Sequence, residues 1–399
     1  MEAFELTEAA ERSGVSVEEL RHLCDLGILT PDEDGRFTTS VLRRAALVKG
    51  LADAGIPLDG LGTAIRTGRV SLDFLDAPAF ERFAALGGDT FAETAERTGV
   101  PIELLQFVRE SSGSPTPLPT DRVRDAEAPY VEWLETALQG GIRPNAMRQL
   151  IRAQGDAMRR IAESESSMWQ TEVIGPATER GMRPDQILGA DIGDRMSALS
   201  EQVVISMYHL QQTRAWSGNI IEGVEAQLTA AGLHSRLEHP PAMCFLDITG
   251  YTRLTQEQGD SAAVELAEHL GEIVQRTAIR YGGRPIKWLG DGVMLHFPNP
   301  GAGVASAIEM VEGCVVAGLP PAHVGLHAGP VIFQEGDYYG QTVNLAARIA
   351  AHANPGQVLV SKAVVDACGE AAVAFSEIGA VELKGITGAT QLFAAARTG

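Results

Sequence analysis

Three spacings in this 399-residue chain could carry chemistry. In IKWLGDGVMLHF, Ile286 to Phe297, Lys287 and Asp291 stand four residues apart, and an Asp-Gly step joins two apolar runs in the manner of a tight β-hairpin. In DYYGQTVNLAARI, Asn344 and Arg348 are also four apart, which on a helix places them on one face, one turn from each other. Asp247 interrupts the short apolar run Ala242 to Ile248. Each has an ordinary explanation: Asp291 as a turn residue, Asp247 as a cap at a strand end, Asn344 and Arg348 as an exposed polar face. Carboxylates are also the oxygen ligands that hard divalent cations need, and a permanently charged guanidinium suits charge developing on a phosphate. Taken singly, none of the three decides between these meanings.

The elements that must position these residues lie after His239-Pro240-Pro241, where the pattern changes. Apolar, strand-like runs occur at Ala242 to Ile248, Arg284 to Trp288, Val293 to Phe297 and His323 to Phe333, and again near Gln357 to Val360, Val373 to Ile378 and Gln391 to Ala394. Thr249-Gly250-Tyr251-Thr252 opens a long amphipathic helix reaching about Tyr281, and a second helix runs from about Ala302 to Val316. This alternation predicts an α+β domain with a mainly antiparallel sheet.

Four segments in order, FLDITGYT (Phe245 to Thr252), IKWLGDGVM (Ile286 to Met294), VGLHAGPV (Val324 to Val331) and DYYGQTVNLAARI (Asp337 to Ile349), resemble the successive signature motifs of class III nucleotidyl cyclases. The resemblance covers roughly Pro241 to Ala396. It implies a ferredoxin-like fold, active sites at the interface of a head-to-tail catalytic dimer, and conversion of a nucleoside triphosphate into a cyclic monophosphate with loss of pyrophosphate. Asp247 and Asp291 match the family's two metal aspartates, with the backbone carbonyl of Ile248 as a further ligand and two Mg²⁺ or Mn²⁺ ions per site. By the same resemblance Asn344 orients the ribose and Arg348 stabilises the charge developing on the α-phosphate; Gly340, Val343 and Ala347 also fit the motif. Lys384, in VELKG, matches a lysine that touches the terminal phosphates in relatives. Where many members have an arginine before the VGLHAG-like strand, this chain has His323.

Lys287 and Asp337 occupy the positions at which the family selects its base. Adenine offers an acceptor at N1 and a donor at its 6-amino group, which a donor and an acceptor from the protein match. Guanine reverses both, and guanylate cyclases typically carry Glu and Cys there. Mispaired buried polar groups can discriminate by ~10⁴ to 10⁵. ATP is therefore the expected substrate and an adenylate cyclase the expected enzyme. With all six principal residues in one chain, a homodimer would form two shared sites, each taking Asp247 and Asp291 from one subunit and Lys287, Asp337, Asn344 and Arg348 from the other. Two other readings stand beside this one: a nucleotide-sensing transcription regulator with a non-catalytic cyclase domain, and a guanylate cyclase, which Lys287 and Asp337 disfavour.

The N-terminal part is helical in pattern. A short helix around Leu6, Ala9 and Ala10 closes at Ser13-Gly14-Val15, and a second starts at Ser16, where Ser16 and Glu19 have capping-box spacing. Gly27 is its expected stop, and a third helix runs from about Thr39. The run LTEAAERSGVSVEELRHLCDLGILTPDEDGRFTTSVLRRAALVKGLADAGIPLDGL resembles the winged helix-turn-helix of MerR-type regulators. Charge opposes DNA binding: Met1 to Gly60 holds six basic residues against twelve acidic ones, and Glu18 and Glu19 lie on the presumed recognition helix. FAETAERTGVPIELLQFV, Phe91 to Val108, reads as a degenerate repeat of the first helix pair.

SSGSPTPLPT, Ser111 to Thr120, reads as a linker, so the expected division is a helical domain over 1–110, a linker over 111–120, a helical regulatory or dimerisation region over 121–240 and a catalytic domain over 241–399. In the third of these, Leu134, Leu138, Met147, Leu150 and Ile151 make one apolar face, and Leu199, Val203, Val204, Met207, Leu210, Ile220, Val224 and Leu228 another, the pattern of a helical bundle. That region resembles the helical regulatory half ahead of some actinobacterial cyclase domains. His209, His234 and His239 precede the catalytic part, either as ordinary exposed histidines or as a pH-responsive hinge.

Totals bound the rest. A net charge of −20 argues against a mainly electrostatic binder of nucleic acid or membrane, and no stretch approaches the ~18 to 20 continuous apolar residues of a membrane span. Cys24, Cys244, Cys314 and Cys368 lie far apart without zinc-site or disulfide-framework spacing, which fits a reducing cytoplasm.

Overall fold

The computed structural model describes residues 3–76, 86–182, 186–187, 191–234, 239–251, 256–257, 259–368 and 373–398, in two compact units, Met1–Gly223 and Val224–Gly399. In the first, strands β1 (Ala3–Phe4) and β2 (Phe37–Thr38) pair antiparallel around helices α1 (Leu6–Ser13) and α2 (Val17–Asp25), followed by α3 (Thr39–Asp53) and α4 (Leu58–Arg66). The expected capping box forms: Ser16 Oγ accepts from Glu19 N at 3.2 Å and Glu19 accepts from Ser16 N at 2.9 Å. Leu20, Leu23, Val41, Leu42 and Val48 close one core.

Next come β3 (Leu86–Thr90), α5 (Phe91–Thr98), α6 (Ile102–Ser111), β4 (Arg122–Arg124), α7 (Ala128–Gln139), α8 (Pro144–Trp169), α9 (Gly175–Glu179) and α10 (Asp191–Ala230). The segment 111–120, expected as a linker, is a mostly exposed loop whose flanking elements share one core. Phe91, Leu104 and Leu105 before it pack with Val123, Val131, Leu134, Met147 and Ile151 after it, and β3 pairs with β4 across it. The buried guanidinium of Arg109 spans the same gap, donating to both carboxylate oxygens of Glu127 at 2.8 and 2.6 Å. Prolines mark the turn, while the apolar partners that close the core are too distant in sequence for composition to reveal. The second apolar face of this region lies on α10, a single 40-residue helix whose Val203, Leu210 and Ile220 are exposed.

The second unit holds β5 (Ala242–Ile248), α11 (Asp260–Arg280), β6 (Arg284–Trp288), β7 (Gly292–Phe297), α12 (Pro300–Val316), β8 (Ala322–Ala328), β9 (Ile332–Gln334), β10 (Asp337–Tyr339), α13 (Gln341–Ala350), β11 (Val358–Ser361), α14 (Lys362–Ala367), β12 (Val373–Glu382) and β13 (Ala389–Arg397). Seven strands form one sheet in the order β12-β13-β11-β8-β5-β7-β6, antiparallel except for the parallel pair β11 and β8. The α+β expectation holds. The long helix expected from Thr249 begins at Asp260 as described; Thr252 lies outside the described residues.

Strand alternation divides this domain into two faces. Ala242, Cys244, Leu246 and Ile248 of β5, with Val293, Leu295 and Phe297 of β7, point into a core shared with Leu270 and Val274 of α11 and Val304, Ala307 and Val311 of α12. The opposite side carries Met243 and Met294, packed with Ala346 of α13 and Tyr338. α13 lies so close to the sheet that a Cβ on Gly325 would fall 2.0 Å from the Ala350 nitrogen, which explains a glycine in the middle of β8. By the same alternation Asp247 and His323 belong to the α13 face, where they are direct cross-strand partners.

No described helix is long and apolar enough to cross a membrane. All four cysteines are unpaired, and burial pushes the Cys314 and Cys368 thiols up to about 11.

Candidate active site

Asp247 is the penultimate residue of β5, and the loop between β6 and β7 brings Asp291 beside it. The loop has three residues, Leu289 to Asp291, closed by Leu289 N donating to Gly292 O at 2.8 Å. The turn expected at Asp291-Gly292 is thus displaced: Gly290 takes the left-handed conformation, φ 74°, and Gly292 is the first residue of β7. Gly292 has another task. A Cβ there would come within 2.9 Å of Leu246 O and 3.2 Å of Asp247 Oδ1, so its absence lets the two aspartates approach. Ile248 N donates to Asp291 O at 3.2 Å and to Asp247 Oδ1 at 3.0 Å, joining both segments through one amide.

The pair is electrostatically uncomfortable. Burial, then the nearby Asp291 charge, holds the Asp247 carboxyl above its usual range, against the opposing pull of His323 and the Ile248 amide. A bound cation relieves both effects, so these residues fit a divalent ion. Ile248 itself is a core side chain, 2% exposed, and only its backbone oxygen is available as a ligand. Among the described residues no group of three or more His, Cys, Asp or Glu gathers in metal-binding fashion. His323 Nε2 lies 3.8 Å from Asp247 Oδ2, and its Nδ1 is 3.2 Å from Thr249 Oγ1. The imidazole therefore stands beside the carboxylate pair.

Lys287 and Asp337, 50 residues apart, form a direct side-chain ion pair. Asp337 also accepts from the Tyr338 backbone N at 2.8 Å, so both carboxylate oxygens are engaged. Lys287 reaches this position through a β-bulge. Arg284 pairs with His296 and Pro285 with Leu295, but Lys287 rather than Ile286 faces Met294. The extra residue leaves Lys287 beside Arg284 on the α13 face; an unbroken alternation would turn it away.

Asn344 and Arg348 lie on α13 and line a cavity of about 1050 Å³ together with His327, Tyr339, Gly340, Ala347 and the turn Gly385 to Thr387. Lys384 is the exposed residue just before that turn. Its neighbours, but not Lys384, line the cavity. Neither the aspartate pair nor Lys287 and Asp337 line it either. One chain thus presents three separate groups. Sequence reasoning did not single out His327, whose Nδ1 is 2.7 Å from Ser361 Oγ, nor the cluster Arg284, His296 and Tyr338 behind Asp337. Cross-strand register joins Arg284 to His296, and side-chain packing of the β9–β10 hairpin adds Tyr338.

The family model described as adenylate and guanylate cyclase catalytic domain matches residues 321–395. An uncharacterized protein of Mycobacterium tuberculosis, Rv2212, is 29% identical over 258 residues, 62% of this chain and 63% of that protein. The chain thus spans just under two thirds of that relative's length. The pH-sensitive adenylate cyclase MT1302 of Mycobacterium tuberculosis is 26% identical over 383 residues, 90% of this chain and 91% of that one. Among solved structures, the adenylyl cyclase CyaB from P. aeruginosa is 23% identical, with a TM-score of 0.36, over 40% of this chain and 94% of that one. Over residues 321–395 the C-terminal part of the chain is thus similar to adenylate and guanylate cyclase catalytic domains.

Proposed function

We propose that this chain is an adenylate cyclase that converts ATP into 3′,5′-cyclic AMP and pyrophosphate, and that it works as a homodimer with two shared sites. The observation that carries the reading is the Lys287–Asp337 ion pair. It sets one donor and one acceptor side by side, the complement of the adenine 6-amino group and N1, and the wrong complement for guanine. On binding, the base replaces a contact that the two side chains make with each other.

Asp247, Asp291 and the backbone oxygen of Ile248 would hold two Mg²⁺ or Mn²⁺ ions, which when bound lower the pKa of the attacking ribose hydroxyl and neutralise the triphosphate. Asn344 orients the ribose. Arg348, one turn away on the same face of α13, offers its planar donors to the α-phosphate as charge develops there. Lys384 approaches the terminal phosphates from the rim of the cavity. The aspartate pair, like Lys287 and Asp337, does not line the cavity that holds Asn344 and Arg348, and in this reading a second subunit supplies the aspartates. The helical part over 1–240 is proposed to regulate the catalytic part, and the kinship over 90% of the chain with an enzyme named pH-sensitive makes pH a first stimulus to try. The unpaired cysteines support a cytoplasmic location.

Incubating the full chain with Mn²⁺ or Mg²⁺ and either ATP or GTP tests the activity; cyclic AMP from ATP is expected. Absence of any cyclic nucleotide would shift the reading to a nucleotide sensor, and preferential turnover of GTP would overturn the base assignment. Mixing Asp247→Ala with Asn344→Ala chains tests the shared site. Each variant alone should be inactive, and the mixture should regain activity through heterodimers with one intact site.

A further inference from the structure

Among the described residues, β9 and β10 form a hairpin of three residues per strand that pairs only with itself and is not part of the seven-stranded sheet. Such a ribbon is at best marginally stable in water unless it packs on something. Ile332, Phe333 and Tyr339 are 63%, 59% and 49% exposed, whereas Tyr338 is 8% exposed. Tyr338 is the residue by which the hairpin is anchored. Its ring stacks on His296 with centroids 4.5 Å apart and planes at 5°, Phe333 tilts against it at 5.1 Å, and its hydroxyl accepts from Arg284 Nη2 at 2.6 Å. Arg284 and His296 are cross-strand partners on β6 and β7, and β6 also carries Lys287.

The geometry points to Tyr338 as a positioning residue: clamped between His296 and Arg284, it holds the hairpin so that Asp337 meets Lys287, and thereby sets which base the site accepts. The inference rests on the cyclase reading above. Asp337 directly precedes Tyr338, so any tilt of the anchored ring displaces the carboxylate. The clamp ties that carboxylate to the strands carrying its partner lysine, which keeps donor and acceptor at one fixed separation. Burial, and then the charge of Arg284, push the His296 imidazole down to about 4, so it packs as a neutral ring against the phenol at neutral pH.

The test uses the full chain with Tyr338→Leu, which removes the ring and hydroxyl, and Tyr338→Phe, which keeps the stacking. For Tyr338→Leu the expected result is a KM for ATP raised about tenfold with kcat within about threefold of wild type, and an ATP over GTP preference in kcat/KM reduced about tenfold. Tyr338→Phe should recover most of both. Hydrogen exchange across residues 332–339 should quicken in the leucine variant while exchange in α12 stays slow. If kcat falls with KM unchanged and the ATP to GTP ratio is preserved, Tyr338 is only a core residue and the inference is overturned. Unchanged exchange in the hairpin overturns it equally. If the wild-type chain forms no cyclic product from either nucleotide, the cyclase reading itself has failed and the inference falls with it.

Discussion

The two ends of the β6–β7 hairpin solve opposite electrostatic problems. At the turn, Asp291 is brought against Asp247, like charge to like charge, and burial first, then this charge, raises the carboxyl pKa of Asp247. Along the incoming strand, Lys287 is brought against Asp337, opposite charges that satisfy one another. In the proposed reading, the first end gains a cation that offsets its charge. The second is complete within one chain and gives up its internal contact only to a ligand that repays both partners. The metal site and the base-selecting site proposed above thus call for opposite arrangements of charge, here on a hairpin of fourteen residues from Arg284 to Phe297.

Removing a carboxylate at the turn should do the most damage. Asp291→Ala is expected to lower kcat/KM for cyclisation by ~10³ or more, because metal stabilisation of the transition state is worth several kcal/mol. An unchanged melting curve would show that the fold is intact. At the strand end, Lys287→Glu combined with Asp337→Cys should lower kcat/KM for ATP by ~10² and raise turnover of GTP. If the double variant kept its preference for ATP, the contrast between the two ends would lose its meaning.

A smaller effect separates stability from activity. The folded carboxyl of Asp247 has a raised pKa, so its charged form costs stability at neutral pH, and that cost disappears once the group is protonated. In metal-free buffer at pH 7, Asp247→Asn should therefore raise the melting temperature slightly while abolishing activity. The gain should vanish near pH 3, where the wild-type carboxyl is itself neutral. Melting curves at both pH values decide it.

A further effect concerns His296. Its folded pKa, about 4, lies below the ordinary 6.5, so the unfolded chain binds the extra proton first as pH falls. The stabilisation is complete above about pH 6.5 and is lost progressively down to about pH 4. His296→Gln should flatten the fall of melting temperature over that window. A wild-type-like slope in the variant would assign the pH dependence to other groups.

Much of the candidate site was legible as local pattern. The four-residue spacing of Asn344 and Arg348 does put both on α13 beside one cavity, and the capping box at Ser16 and Glu19 forms as its spacing requires. The helix pair read as a degenerate repeat also forms, as α5 and α6. Less visible was the loop at Leu289 to Asp291. An Asp-Gly step is a strong turn signal, yet here the close approach of β5 claims Gly292 and the turn moves to Gly290. The segment 111–120 misled for a related reason, since proline content reports a turn but is silent on whether the chain beyond it returns to the same core.

By itself the sequence determined which residues are available and on which face of their own strand or helix they lie, because side-chain direction follows the periods of 2 and 3.6. It thereby placed the core side of β5 opposite Asp247, and Asn344 in line with Arg348. Only the tertiary structure decided which of those faces meet. The bulge at Ile286, which leaves Lys287 beside Arg284, and the clamp on Tyr338, which holds Asp337 opposite Lys287, depend on partners up to 54 residues away. Register between strands is set by the packing of such distant side chains, for which no local propensity carries a signal.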